Sequence, residues 1–151
     1  MATTIDGIDE LKAYVGQHLG YSEYVEITQE QVNQFADATG DHQWIHVDGE
    51  RAKAGPFGAP IAHGYLTLSL GPALLPQIME VSGVAMGVNY GANKIRFPSP
   101  VPVGAKVRLG AKLLAVEDVT GGAQGTVEMT FEVEGAPKPS CVAEVIFRYY
   151  V

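Results

Sequence analysis

Hydrophobic and polar positions change period along this chain, and the change divides it into a helical first half and a strand-rich second half. Along IDGIDELKAYVGQHL, Ile5, Leu11, Val15 and Leu19 fall near helical spacing, which predicts an amphipathic helix at the start. EYVEIT alternates as a strand does, and Thr28 with Gln31 forms a capping box that should start a helix through QVNQFADAT. Val32, Phe35 and Ala36 make the apolar stripe of that helix, and Gly40 ends it by taking a left-handed conformation at little cost. GERAKA reads as a short helical piece, after which the glycines and prolines of GPFGAPIAHG force the chain to turn. From Tyr65 to Met79 apolar residues continue nearly all the way round, which predicts a helix buried on every side, with Pro72 and Pro76 kinking or dividing it near Gly71. The wrapping should come from the second half. GVAMGVNYG, NKIRF, AKVRLGAKLLAVEDV, GTVEMTFEVEG and SCVAEVIFRYY read as strands, with clear alternation at Val127, Met129, Phe131 and Val133. The expected class is α+β, a run of antiparallel strands curved around one buried helix.

Composition narrows this picture. With 151 residues and 46% hydrophobic content, a single domain over 1–151 with a real core is expected. Seventeen acids against ten bases give a formal charge of -7, so nucleic acid and anionic lipid are not expected partners. The longest apolar tract, Tyr65 to Met79, is short of the ~18 residues of a membrane span. The single cysteine, Cys141, allows no internal disulfide, and MATTIDGIDELK has neither the basic nor the apolar stretch of a secretory signal. A cytoplasmic location is the expectation.

Two stretches carry candidate chemistry. In ATGDHQWIHVD, Asp41 and His46 are types suited to holding one water between them and moving protons to and from it. By spacing alone, a turn cap at Asp41 and a hydrogen-bonded histidine at His46 is the stronger reading. A metal reading, with His42 and His46 four apart and Asp41 or Asp48 near them, is weak because no glutamate follows His42 as in the helical zinc motif. In AHGY, His63 and Gly64 stand where the apolar helix begins. Free N–H groups there suit an oxygen that gains negative charge, and Gly64 would admit a substrate close to the backbone. Taken alone, a plain helix start explains that stretch as well.

TGDHQWIHVD, followed by AHGYLTLSL and then IRFPSPVPVG, resembles the MaoC-like dehydratases, the (R)-specific enoyl-CoA hydratase branch of the hot-dog superfamily. Gly40, Asp41, Ile45 and His46 match the family pattern, and the likeness runs from about Thr28 to the end of the chain. Gln43 stands where the family has Asn and Trp44 where it has Pro, so the hydrogen bond of that Asn must reach further or be lost, and Trp44 is placed to reshape the acyl pocket. The resemblance implies a single hot-dog fold, pairing as a homodimer. It also implies that Asp41 and His46 hold the water that adds to a trans-2-enoyl thioester, giving an (R)-3-hydroxyacyl thioester. Gly64 would meet the thioester oxygen, and His63 and Gln43 would line the substrate site. Coenzyme A enters as part of the acyl-CoA substrate, and neither a cofactor nor a metal is expected.

Coenzyme A carries phosphates, and an acidic chain must offer them a local positive surface. No acid occurs from Val81 to Val116, and Lys94, Arg96, Lys106, Arg108 and Lys112 all fall there. Arg96 occupies the RF position of the family and, with Lys94, is the expected phosphate contact; the other three fit an ordinary solvated strand face equally well. Gly83, Gly87 and Gly91, spaced by four, should share one strand face, and Cys141 should be packed rather than reactive. Two rival activities remain. A hot-dog thioesterase would place an acid on or near the central helix, which offers Thr67 and Ser69 but no carboxylate before Glu80. A non-catalytic acyl-CoA binding subunit would have no need of both Asp41 and His46.

Overall fold

The computed structural model describes residues 2–151. Strand β1 (Thr3–Asp6) leads into helix α1 (Gly7–Ala13), and strands β2 (His18–Tyr21) and β3 (Val25–Glu26) follow. The expected opening helix is therefore shorter than its apolar spacing suggested. Gly7 and Gly16 take left-handed φ values of 81° and 89° and bracket the helix, leaving Ile5 and Leu19 to reach the core from strands. Helix α2 (Gln29–Thr39) starts as its capping box requires, with Thr28 Oγ1 accepting from the Gln31 N–H at 3.1 Å, and Gly40 ends it at φ 84°.

Two short helices come next, α3 (Trp44–Val47) and α4 (Gly49–Lys53). The apolar tract from Tyr65 is not one rod. It comprises α5 (Gly64–Ser69), α6 (Gly71–Leu74) and a 3₁₀ turn, Leu75–Gln77. Pro72 and Pro76 each sit in the opening turn of a new piece, where a missing N–H is harmless, so the break near Gly71 follows from the prolines. The tract is not buried all round either. Leu66, Thr67, Gly71 and Leu74 face the sheet, whereas Tyr65 is 68% exposed and Ser69, Pro72 and Pro76 lie at the surface. Periodicity could not detect this, because Tyr and Pro count as apolar and yet tolerate solvent.

The remaining strands are β4 (Met79–Ser82), β5 (Met86–Arg96), β6 (Lys106–Val119), β7 (Gly122–Val133) and β8 (Cys141–Tyr150). Six strands form one antiparallel sheet in the order β2-β6-β7-β8-β5, with β3 added beside β6. The broken helix lies across this sheet in the hot-dog manner. Strand β5 takes in both segments read separately as GVAMGVNYG and NKIRF, with register shifts between Asn89 and Gly91 and between Asn93 and Arg96. A second sheet had no counterpart in the expectations: β1 pairs with β4 in parallel.

Alternation behaves as read in β7, where Val127, Met129 and Phe131 are buried beneath the helix. Each such side chain contributes roughly 1.5–3 kcal/mol. At Gly71 an added Cβ would stand 2.9 Å from Met129 Sδ, so this glycine lets the helix settle on the sheet. The three glycines expected on one face are separated. Gly83 lies in a turn at φ 74°, and the bulge between Asn89 and Gly91 shifts Gly91 relative to Gly87. Among the described residues no helix is long and apolar enough to cross a membrane.

Candidate active site

Asp41 follows the left-handed Gly40, so the chain leaves α2 abruptly and re-enters helix only at Trp44. The Asp41 side chain is 51% exposed. Its Oδ1 accepts from the Gln43 N–H at 3.3 Å, and its own N–H reaches Thr39 Oγ1 at 3.4 Å. Gln43 thus contributes its backbone to the loop, while its side chain stands exposed.

His46 is 6% exposed and points inward from α3. Its Nδ1 lies 2.7 Å from the Ile61 carbonyl oxygen. A carbonyl only accepts, so Nδ1 carries the proton and Nε2 is left with its lone pair. The tie is doubled in the backbone, since the Ile61 N–H donates to the Ile45 carbonyl at 3.0 Å. Gln29, at the start of α2, also donates from Nε2 to the His46 carbonyl at 2.9 Å. Nothing in the sequence marks Gln29 for this part, because the partners are 17 residues apart.

His63 is buried to 2% exposure beside the pair. Its Nε2 is 2.9 Å from the Asp41 carbonyl oxygen, and its ring stacks on His46 at 3.9 Å and 25°. Among the described residues Nδ1 of His63 has no hydrogen-bond partner, a condition that ordinarily costs about 1–3 kcal/mol. One oxygen or nitrogen from each of Asp41, His46 and His63 lies within 4.8 Å of the others. Two hydrogen bonds of ~2.8 Å meeting at a water span about 4.6 Å, so the spacing suits a bridging water. It is also a donor set of metal type, though not the one considered from sequence: His42 turns away to Asp37 at 3.0 Å, and that hydrogen bond raises the His42 pKa.

A cavity of about 320 Å³ opens beside His46, walled by Gly64, Thr67, Phe97 and Ser140 among others. Gly64 heads α5, so its N–H has no intrahelical acceptor. The space above its Cα is occupied by Phe97, whose ring would lie 3.0 Å from an added Cβ. Thr67 is a wall residue that sequence reasoning did not place in the site. Its position one turn after Gly64 was a usable signal. Farther along the helix a groove of about 450 Å³ runs between Leu68, Ser69 and Pro72 on one side and Tyr90, Gly91 and Ala92 on the other.

Trp44 reshapes none of these spaces. Its ring lies under the Arg51 guanidinium at 4.4 Å and against Gly55, where an added Cβ would come within 2.9 Å of it. Trp44 thereby fastens the loop to α4.

Among the described residues, two of the five basic residues of the acid-free tract have acidic partners. Lys94 pairs with Glu144 at 3.7 Å and Arg108 with Glu132 at 2.9 Å, acids supplied by neighbouring strands that the acid-free tract could not reveal. Arg96 is exposed, donates to the Ile95 carbonyl, and precedes Phe97 of the cavity wall. Cys141 is fully buried, and desolvation pushes its thiol up to about 11, which fits packing and not nucleophilic chemistry.

Residues 10–135 match the family described as the MaoC like domain. The chain belongs to the MaoC-like family. This MaoC-like chain is 58% identical over 147 residues to the 3-hydroxyacyl-thioester dehydratase Z of Mycobacterium tuberculosis, covering 97% of each chain. Among solved structures it is similar to the monoamine oxidase regulatory protein from Archaeoglobus fulgius, with a TM-score of 0.79 at 22% identity over 100% of this chain and 99% of that one. That likeness concerns the fold alone. The (R)-hydratase from A. caviae involved in PHA biosynthesis has a TM-score of 0.73 at 25% identity, with 88% of this MaoC-like chain and 94% of the other covered.

Proposed function

We propose that this MaoC-like chain is a hydratase/dehydratase that interconverts trans-2-enoyl and (R)-3-hydroxyacyl thioesters. One observation carries the reading. The His46 imidazole is held as the Nδ1–H tautomer beside a cavity, which leaves the Nε2 lone pair unused by that bond, and a ring nitrogen of His46 lies within 4.8 Å of an Asp41 carboxylate oxygen, a water-bridging distance. A water held between the two adds its oxygen to the third acyl carbon and breaks its O–H bond, while a proton is delivered to the second carbon. The reverse step expels that water. The two side chains share one proton inventory, so acid and base roles belong to the pair. Negative charge on the thioester oxygen during addition is met by the N–H of Gly64. The named activities of the two relatives, a 3-hydroxyacyl-thioester dehydratase and an (R)-hydratase, support this direction of chemistry.

The working form in this reading is a cytoplasmic homodimer. Strand β5 ends the sheet with an open edge and exposes Met86, Val88 and Tyr90, an apolar strip suited to a second copy of itself. A monomer in sedimentation equilibrium would remove the partner from this reading. Coenzyme A is the carrier proposed, with Arg96 and Lys94 as its phosphate contacts; among the described residues Arg96 has no acidic partner, whereas the exposed Lys94 lies 3.7 Å from Glu144. An Arg96→Ala variant should then raise KM and leave kcat unchanged.

The test of the activity is hydration of trans-2-enoyl-CoA substrates from short to long chain, followed by loss of the conjugated absorbance. Product chirality and free thiol are read on the same samples. The expected result is an (R)-3-hydroxyacyl product without thiol. Thiol release would overturn the proposal in favour of a thioesterase, and binding without turnover would leave a binding subunit.

A further inference from the structure

We propose that His63 is the positioning residue of the catalytic loop, setting Asp41 and His46 relative to each other without touching substrate. This rests on the hydratase reading for what the pair does, but the geometry that carries it is independent of substrate.

Asp41 is otherwise held loosely. Its two contacts within the loop, at 3.3 Å and 3.4 Å, are at the long end for hydrogen bonds. The bond from His63 Nε2–H to the Asp41 carbonyl, at 2.9 Å, is the tightest on that residue. The same imidazole lies against the ring of His46 at 3.9 Å, and Phe35 of α2 packs 4.8 Å from it. One side chain therefore grips the backbone of one partner and the ring of the other, and its own backbone continues into Gly64. Three groups assigned to the reaction are tied through it.

The residue type follows from this double duty. A flat group is needed to lie against the His46 ring, and a donor is needed at its far edge to reach the Asp41 carbonyl. Histidine supplies both, but only as the Nε2–H tautomer, which leaves Nδ1 as a bare acceptor. That is the buried nitrogen that finds no partner. Its isolation follows from the requirement met on the other side of the ring.

The experiment compares His63→Phe, which keeps a ring and loses the donor, with His63→Gln and His63→Asn. The Gln amide can stand near the Nε2 position, and the Asn amide is one bond too short. In hydration of a trans-2-enoyl-CoA, Phe and Asn should lower kcat about 100-fold with KM nearly unchanged, the size expected when reacting groups are misplaced by about 1 Å. Gln should recover most of that loss. Phe retaining near-normal turnover, or Gln and Asn behaving alike, would overturn the proposal. Should the Phe variant fail to fold, the contrast between Gln and Asn still separates a positioning donor from simple packing.

Nitrogen-15 spectra at about pH 8.5, above the ordinary histidine range, supply a readout without substrate. His46 should give the signals of a single Nδ1–H tautomer in the wild type and the Gln variant. The Gly40 to Gln43 amide shifts should be disturbed in Phe and Asn, while the His46 tautomer stays fixed by the Ile61 carbonyl. Unchanged spectra would overturn the positioning role. Failure of wild-type hydration with the spectra as expected would sink the hydratase reading and leave the positioning role standing.

Discussion

Strands β6, β7 and β8 and the segment from Gly40 to Gly64 hold their side chains in opposite ways. In the strands, a ladder from Val107↔Val133 to Val119↔Gly122 pairs β6 with β7, and inward residues are buried at alternate positions along the 10 residues of β8. In the segment, helices of 4 and 5 residues are held by a few specific hydrogen bonds, and a half-exposed carboxylate sits beside two buried imidazoles. The difference shows where stability and chemistry reside. The strands bury apolar surface that needs no exact orientation, whereas the segment fixes orientation and accepts an unpartnered nitrogen at His63.

This contrast is most directly broken by exchanging the effects. Asp41→Asn should lower hydration kcat by about 10²–10⁴-fold and change unfolding free energy by no more than ~0.5 kcal/mol, because the side chain is half in solvent. His46→Ala should cost as much in turnover and also about 1–3 kcal/mol in stability, since the Ile61 carbonyl loses its donor. Leu113→Ala in β6, at a fully buried position away from the cavity, should cost about 2–5 kcal/mol in stability while kcat per folded molecule stays close to wild type. Denaturant melts and steady-state kinetics on the same preparations check both sides. Near-normal turnover in Asp41→Asn, or a large kcat loss in Leu113→Ala, would erase the division.

The same contrast explains what could be read beforehand. Alternation in β7, the cap at Thr28 and the division of the central helix are local, written in residues a few positions apart, and each is found as expected. The Asp41 and His46 pair was legible through its motif. The parallel pairing of Thr3 with Met79, the bond from Gln29 to His46, and the ion pair of Lys94 with Glu144 join residues distant in the chain, and periodicity carries no information about them. His63 was visible as a candidate but not as a buried one, because its burial against the His46 ring depends on where α3 docks.

The finest distinction between the two regions lies along the broken helix, where a separate groove of about 450 Å³ lies farther along than the cavity beside His46. Leu68 stands one turn, about 5.4 Å, beyond Gly64. At about 1.2 Å per bond of extended chain, that is roughly four to five bonds. A crotonyl tail would stop short of the groove, and a long acyl tail would lie in it. Gly91 forms part of its far wall, takes no left-handed φ, and has nothing within 4 Å of an added Cβ, so a larger side chain enters open space without backbone strain. Gly91→Leu should therefore leave crotonyl-CoA hydration near wild type and lower kcat/KM for long-chain substrates about tenfold or more, the scale of one misplaced apolar contact in a pocket. Equal losses at every chain length would mean that the substitution disturbs β5 as a whole. An unchanged profile would place the acyl tail elsewhere and leave this groove to the surface that β5 offers a second copy.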